Sequence, residues 1–151
     1  MQYLMITNNP KIGKYIIQNG VDRVFIDLEK LGKDIRQSHL DSWKSNHSFE
    51  DILSMRNVIN GKRILVRLNP WNNNSLNEIN IAIEYGADFL MLPMIIEFEE
   101  IYKFCKAVNS RVPVIPLIET KESIGLLERI IGLEGVNEIY IGLNDLSISH
   151  G

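Results

Sequence analysis

Cysteine is almost absent from this sequence of 151 residues. Cys105 is the single example, so no disulfide can form within the chain. It lies in a helical-looking run, Glu97–Asn109, with nothing nearby to lower its pKa, and reads as a small buried apolar residue. A strong charge of either sign is also missing. Sixteen Lys and Arg against nineteen Asp and Glu leave a formal charge of −3. That balance offers no basic surface for nucleic acid or for an anionic membrane. No apolar run approaches the roughly 18 residues of a membrane span. The opening Met1–Asn9 lacks the basic-then-apolar order of a signal peptide. Clustered Cys and His are absent, which argues against a structural zinc site. There is no low-complexity segment and no sign of a second domain. A single domain over 1–151, a cytoplasmic enzyme or binding protein, is the class left standing. Its apolar share of 45% and charged share of 23% are ordinary for a folded domain.

Short apolar and β-branched runs alternate with longer amphipathic stretches. The runs are Tyr3–Thr7, Arg23–Leu28, Arg63–Leu68, Phe89–Met94, Val112–Ile118 and Glu138–Gly142. Between them, one helix opens at Asn8-Asn9-Pro10 and closes near Asn19-Gly20. Further helices are expected over Ser48–Ile59, Ser75–Tyr85, Glu97–Val108 and Lys121–Ile131, the first of these on the capping-box-like Ser48-Phe49-Glu50-Asp51. The strands are apolar throughout rather than alternating, which suits a parallel sheet buried on both faces. Six strands with five helices between them make βα units. Glu29–His47 breaks the rhythm with a long polar stretch of the kind that is functional or disordered.

Two architectures fit: a doubly wound open sheet, or a (β/α)₈ barrel of the TIM type. The barrel needs about 250 residues, and six strands fall two short of closure. A stop at Gly151, in a loop straight after a strand, favours an incomplete barrel.

In either architecture, ligands bind at the carboxyl ends of the strands. Charged residues gather there while the strand bodies stay apolar. A buried carboxylate is costly without a counter-charge or a metal. Glu119 ends the most apolar strand, and Asp145 can share an ion with it if their strands are neighbours. Two carboxylates with water and a bidentate ligand suit Mg²⁺ or Mn²⁺. Arg67 is the natural holder of an anion, since a guanidinium clamps a carboxylate bidentately. Metal and arginine together suit a 2-oxo acid. Each assignment has a plainer rival. Glu119 can pair with a cation on the barrel rim, Asp145 can cap a following helical turn, and Arg67 can be the ion-pair partner of Asp27 or Glu29. His39 and His47 lie in the long loop, where a lone histidine is often solvated. Trp43 and Trp71 suit loop packing better than substrate binding.

Read in order, the strand ends resemble the HpcH/HpaI aldolase and citrate lyase β-subunit family. The matching pieces are residues 20–29 (GVDRVFIDLE), 66–70 (VRLNP), 86–94 (GADFLMLPM), 118–120 (IET) and 141–147 (IGLNDLS). The resemblance implies a metal-dependent barrel that makes or breaks carbon–carbon bonds beside a 2-oxo acid or a thioester. It implies Glu119 and Asp145 as ligands of a divalent ion, Arg67 at the substrate, and Asp27 with Glu29 as the acidic motif of the second strand. Asp27 joins Arg67 in the catalytic set, and Glu29, Asn69 and Asn144 join Arg67 in the substrate-binding set. The pyruvate aldolases carry a histidine directly after Asp-x-Glu, where this chain has Lys30; the aspartate of the citrate-lyase-like branch is missing too. His47 from the loop is the candidate for the base, and Arg36 for extra anion binding. The family's barrel also has two more βα units. The reading is a metal-dependent aldolase-type lyase on a small 2-oxo acid, working as a homo-oligomer without nucleic acid or membrane. The rivals are an acyl-CoA lyase of the citrate-lyase kind and an inactive or partial barrel completed by a second chain.

Overall fold

The computed structural model describes residues 2–32, 45–61 and 63–150. Arg36, His39 and Trp43 therefore lie outside the described residues. The strands are β1 Leu4–Ile6, β2 Arg23–Asp27, β3 Ile64–Arg67, β4 Phe89–Leu92, β5 Val114–Ile118 and β6 Tyr140–Ile141. The helices are α1 Pro10–Gln18, α2 Phe49–Arg56, α3 Ser75–Glu84, α4 Phe98–Val108, α5 Lys121–Gly125, α6 Leu127–Ile131 and α7 Leu143–His150. The strands pair in sequence order, all parallel, in one six-stranded sheet. With helices alternating along it, the sheet forms a curled half-barrel, the incomplete α/β barrel expected from the strand count. Among the described residues no helix is long and apolar enough to cross a membrane.

Local chemistry explains where the elements begin. Asn9 caps α1, its side chain accepting from the amides of Lys11 and Ile12 at 3.0 and 3.3 Å, and Pro10 follows at the first turn. Ser48 and Asp51 close a capping box on α2. Helix α4 ends on Asn109 in the left-handed region, φ 51°. One expected helix, Lys121–Ile131, is two: α5 ends on Gly125, and Leu126 separates it from α6.

The two faces of the sheet explain the continuous apolar runs. Val24, Ile26, Ile64, Val66, Leu90 and Leu92 face the helices in the larger core. Their neighbours Phe25, Leu65, Phe89, Met91, Ile115 and Leu117 pack together on the inner, concave face. Side chains alternate along a strand, so the next inward position after Phe25 is Asp27, after Leu65 is Arg67, and after Leu117 is Glu119. The interior is apolar in its lower layer and charged at the carboxyl ends of the strands.

The outer strands leave apolar surface open. Met5 and Ile6 on β1, and Tyr140 and Ile141 on β6, are all exposed. Cys105 is half-buried, and burial pushes its thiol up to about 11, as suits a packing residue. Trp71 meets Phe104 edge-on at 6.5 Å, against the core rather than in a ligand site.

Candidate active site

A cleft of about 870 Å³ opens at the carboxyl ends of the strands. Asp27, His47, Arg67, Glu119, Asn144 and Asp145 all line it, together with inner-face apolar residues such as Phe25 and Met91. Six of the eight residues expected at the site are thus brought to one cavity. Glu29 and Asn69 are not among the lining residues.

Arg67 anchors the charged layer. Register places it directly beside Asp27 across the β2–β3 ladder. Its Nε and Nη2 donate to the two carboxylate oxygens of Asp27, both at 2.9 Å, and its Nη1 stands 3.3 Å from Glu29 Oε2. The ion-pair reading of Arg67 is therefore correct in geometry, yet the residue also borders the cleft. Two of its five N–H donors go to Asp27 and one faces Glu29, so one proton on each Nη is left for a ligand. Burial opposes the charge, but Asp27, Glu29 and Glu119 outweigh that effect and hold the guanidinium above its ordinary value.

Glu119 follows β5 directly and is 2% exposed. Its Oε1 accepts from the amide of Met94 at 2.9 Å. Met94 has φ 52°, a left-handed backbone that a side chain adopts at some cost, and in this conformation its N–H meets Glu119. Burial pushes the Glu119 carboxyl up to about 7. The Met94 amide and Arg67 oppose the shift, while Glu29 and Asp145 add to it.

Space for Glu119 comes from β6. A Cβ on Gly142 would lie 2.9 Å from both Cβ and Oε2 of Glu119 and 3.3 Å from Leu117 Cδ1. Gly142→Ala is therefore expected to cost about 1–3 kcal/mol through overpacking, read as a shift of the denaturation midpoint.

Asp145 corrects an expectation. It does not end a strand: β6 stops at Ile141, and Asp145 lies in the first turn of α7. Nor does it cap a following turn as the rival reading had it, since it lies inside the first turn itself, and that turn still brings it to the cleft. A carboxylate there also complements the helix dipole.

Asn69 is tied into the fold around it. Its Oδ1 accepts from the amides of Lys30 and Leu31 at 2.8 and 3.0 Å, and its Nδ2 donates to Glu78 Oε1 at 3.1 Å. Glu78, 5% exposed on α3, also accepts from the Asn69 amide at 3.3 Å. Asn69 thereby ties the segment after β2 to β3 and α3. Nothing in the sequence marks Glu78 as its partner, nine positions away. Asn144 sits exposed at the cleft in α7, its carbonyl accepting from Ser147 Oγ at 2.7 Å. Lys30 is exposed, so this cation points to no buried role.

His47 is 6% exposed, not solvated, and its Nδ1 accepts from the amide of Asp27 at 3.0 Å.

Among the described residues, Asp27, Glu29, Glu119 and Asp145 gather around the guanidinium of Arg67, and both Glu29 and Asp145 act on Glu119 unfavourably. A hard cation beside Glu119 would favour its ionised form, and the donors are all oxygen. Among the described residues no group of three or more His, Cys, Asp and Glu converges as a ready ligand cage. The protein's share of an ion's shell would be Glu119 and Asp145, with the rest from water and ligand.

The result is a parallel half-barrel with an acid-rich cleft at its strand ends, where barrel proteins commonly place their small-molecule sites. The chain belongs to the HpcH/HpaI aldolase/citrate lyase family, whose model matches residues 3–151. No curated protein sequence matches it. Solved structures share its fold. Citrate synthase SbnG matches with TM-score 0.72 at 19% identity, over 99% of this chain and 63% of that one. An HpcH/HpaI aldolase from Desulfitobacterium hafniense DCB-2 matches with TM-score 0.76 at 16% identity, over 99% and 65%. Macrophomate synthase matches with TM-score 0.69 at 15% identity, over 100% and 58%. The chain spans less than two thirds of the length of each.

Proposed function

We propose that this chain carries the site of a divalent-metal-dependent lyase of the aldolase type, acting on a 2-oxo acid. The observation that carries the reading is the cleft itself, lined by the buried Glu119, by Asp145 and by Arg67. A Mg²⁺ or Mn²⁺ ion on Glu119 and Asp145 supplies a Lewis acid for the oxygens of the 2-oxo acid. Arg67 offers its two remaining N–H groups to the same anion, where negative charge grows as the carbon–carbon bond breaks. Asp27 and Glu29 hold the guanidinium rigid, which lowers the cost of ordering it when substrate binds. The apolar layer below, with Phe25, Met91 and Leu117, excludes water from the floor of the cleft.

A CoA thioester fits less well. Its phosphates need cations, and Arg67 is the one Lys or Arg among the described lining residues. The test is a comparison of substrates with Mg²⁺ present. Release of pyruvate from a free 4-hydroxy-2-oxo acid, abolished by EDTA, is the expected result. Turnover of an acyl-CoA thioester with none of the free acid would overturn it.

A further inference from the structure

We propose that Arg23 and Glu138 are a positioning pair, whose salt bridge spans the amino end of the half-barrel and sets the width of the cleft at the other end. The consequence for a metal ion rests on the lyase reading above; the control of the width does not.

A closed barrel keeps its shape because its last strand pairs with its first. Here the sheet runs from β1 to β6 in sequence order, and its two edges are not neighbours. Both edges nevertheless wall the cleft. β1 does so through Ile6 and the Thr7 and Asn8 that follow, β6 through Tyr140, Ile141 and the turn that leads to Asp145. The hydrogen-bonded ladder fixes the spacing of these walls only through five successive strand-to-strand steps, and each step tolerates some variation in twist. β6 adds the least to that ladder. It is two residues long and meets β5 at Leu117–Tyr140 and Ile118–Ile141. A small shift of β6 matters, because it carries Gly142 to within a Cβ's reach of Glu119.

One contact bypasses the ladder. Arg23 opens β2 on the same inward face as Phe25 and Asp27. Its Nη1 and Nη2 donate to Oε2 and Oε1 of Glu138 at 2.9 and 2.8 Å, between residues 115 positions apart. Glu138 stands just before β6, so the bridge joins the second strand to the sixth without passing through β3, β4 and β5. On its way the guanidinium lies 3.8 Å from the centre of the Phe89 ring, at the start of β4 on the inner face. The Arg23 side chain is 9% exposed and that of Glu138 34%. A guanidinium so deeply placed holds on to its carboxylate, since a buried charge without a partner is costly. The fork fixes it in one direction and the aromatic face in another, which an ammonium could not match. Neither residue lines the cleft. Their effect on it passes through β2 on one side and through β6 and α7 on the other.

The test uses the full chain and reads width and metal separately. Lys14→Cys on α1 and Ile148→Cys on α7, both exposed positions, carry spin labels in a Cys105→Ser background. Double electron–electron resonance then gives the distribution of distances between the helix after β1 and the helix after β6. That distribution should broaden in Arg23→Met and in Glu138→Ala. Mg²⁺ affinity, titrated by calorimetry on the unlabelled proteins, should fall about 10-fold in each, as when an outer-shell partner is lost. It should fall no further in the double variant, because either change removes the same bridge. Ile79→Val trims the helix-facing core as a control for lost stability, and should match wild type in both readings. Glu138→Ala, on the more exposed partner, carries the test if Arg23→Met fails to fold. An unchanged distance distribution overturns the proposal, as does a loss of Mg²⁺ affinity in Ile79→Val equal to that in Glu138→Ala. If the wild type binds no Mg²⁺ while the distribution still broadens, the metal reading fails and the pair keeps its control of the cleft. If Mg²⁺ binds every variant alike, the metal reading stands and the pair is a structural brace alone.

Discussion

Glu119→Gln is expected to lower the affinity for Mg²⁺ more than about 100-fold, beyond the loss usually seen when only an outer-shell partner is removed. Isothermal titration of the two proteins measures it, and equal affinities would remove Glu119 from the metal site. The same variant has a second signature, in stability. In the folded metal-free protein, burial pushes the Glu119 carboxyl up to about 7 from the ordinary 4.5. The folded state therefore holds a proton that the unfolded chain has already released. Stability contributed by the protonated form is fully present below about pH 4.5 and is lost as the pH rises through about 7. The loss is on the order of 3 kcal/mol. Glu119→Gln cannot ionise, so its denaturation midpoint should vary less with pH across that window. Metal competes with the proton for the same oxygens, so Mg²⁺ should bind wild type more tightly as the pH passes about 7. A wild-type stability profile that runs parallel to that of Glu119→Gln would show that Glu119 is an ordinary carboxylate.

The second large effect is expected at Arg67. Arg67→Met takes away the cation that Asp27 and Glu29, 2% and 4% exposed, share. Breaking a buried pair from one side costs about 3–5 kcal/mol. For a chain of this size the melting temperature should drop by roughly 10 °C or more. Arg67→Lys should recover part of the stability but little of the anion binding, because an ammonium cannot span both oxygens of Asp27 and still offer a fork to a ligand. If Arg67→Met melts like wild type, the acidic layer is balanced by something other than Arg67. Loss of stability in Arg67→Met with full pyruvate-releasing activity would assign Arg67 to the scaffold alone.

The inner strands β2 to β5 were readable because they are buried on both faces, and a run such as Arg63–Leu68 has no other economical use. Helix starts were readable where a side chain does the capping, as at Asn9 and Ser48. Glu119 stood out because it is a carboxylate on the end of the apolar β5. Asp145 was found as a residue but misplaced as an element. β6 is only two residues long, and the chain winds into α7 at Leu143, so a strand rule applied to Glu138–Gly142 overshot. The break between α5 and α6 carries no proline, and Gly125 alone did not announce it. The clamp on Asn69 and the bond to His47 were hidden for a simpler reason. Both join side chains to main-chain amides, across 38 or 39 positions in one case and 20 in the other. A backbone N–H has no letter of its own in a sequence, so such partners emerge only once the chain is folded.

The Asn69 clamp has a consequence for slow motions. One carboxamide joins the amides of Lys30 and Leu31 to Glu78, which belongs to the first turn of α3. These groups lie far apart along the chain, and the shared hydrogen bonds predict that they open together. Hydrogen–deuterium exchange at Lys30 and Leu31 should therefore follow the fraying of α3 rather than the exposure of their own loop. Asn69→Ala should quicken exchange at both amides together, while leaving the amides of β4 at their original rates.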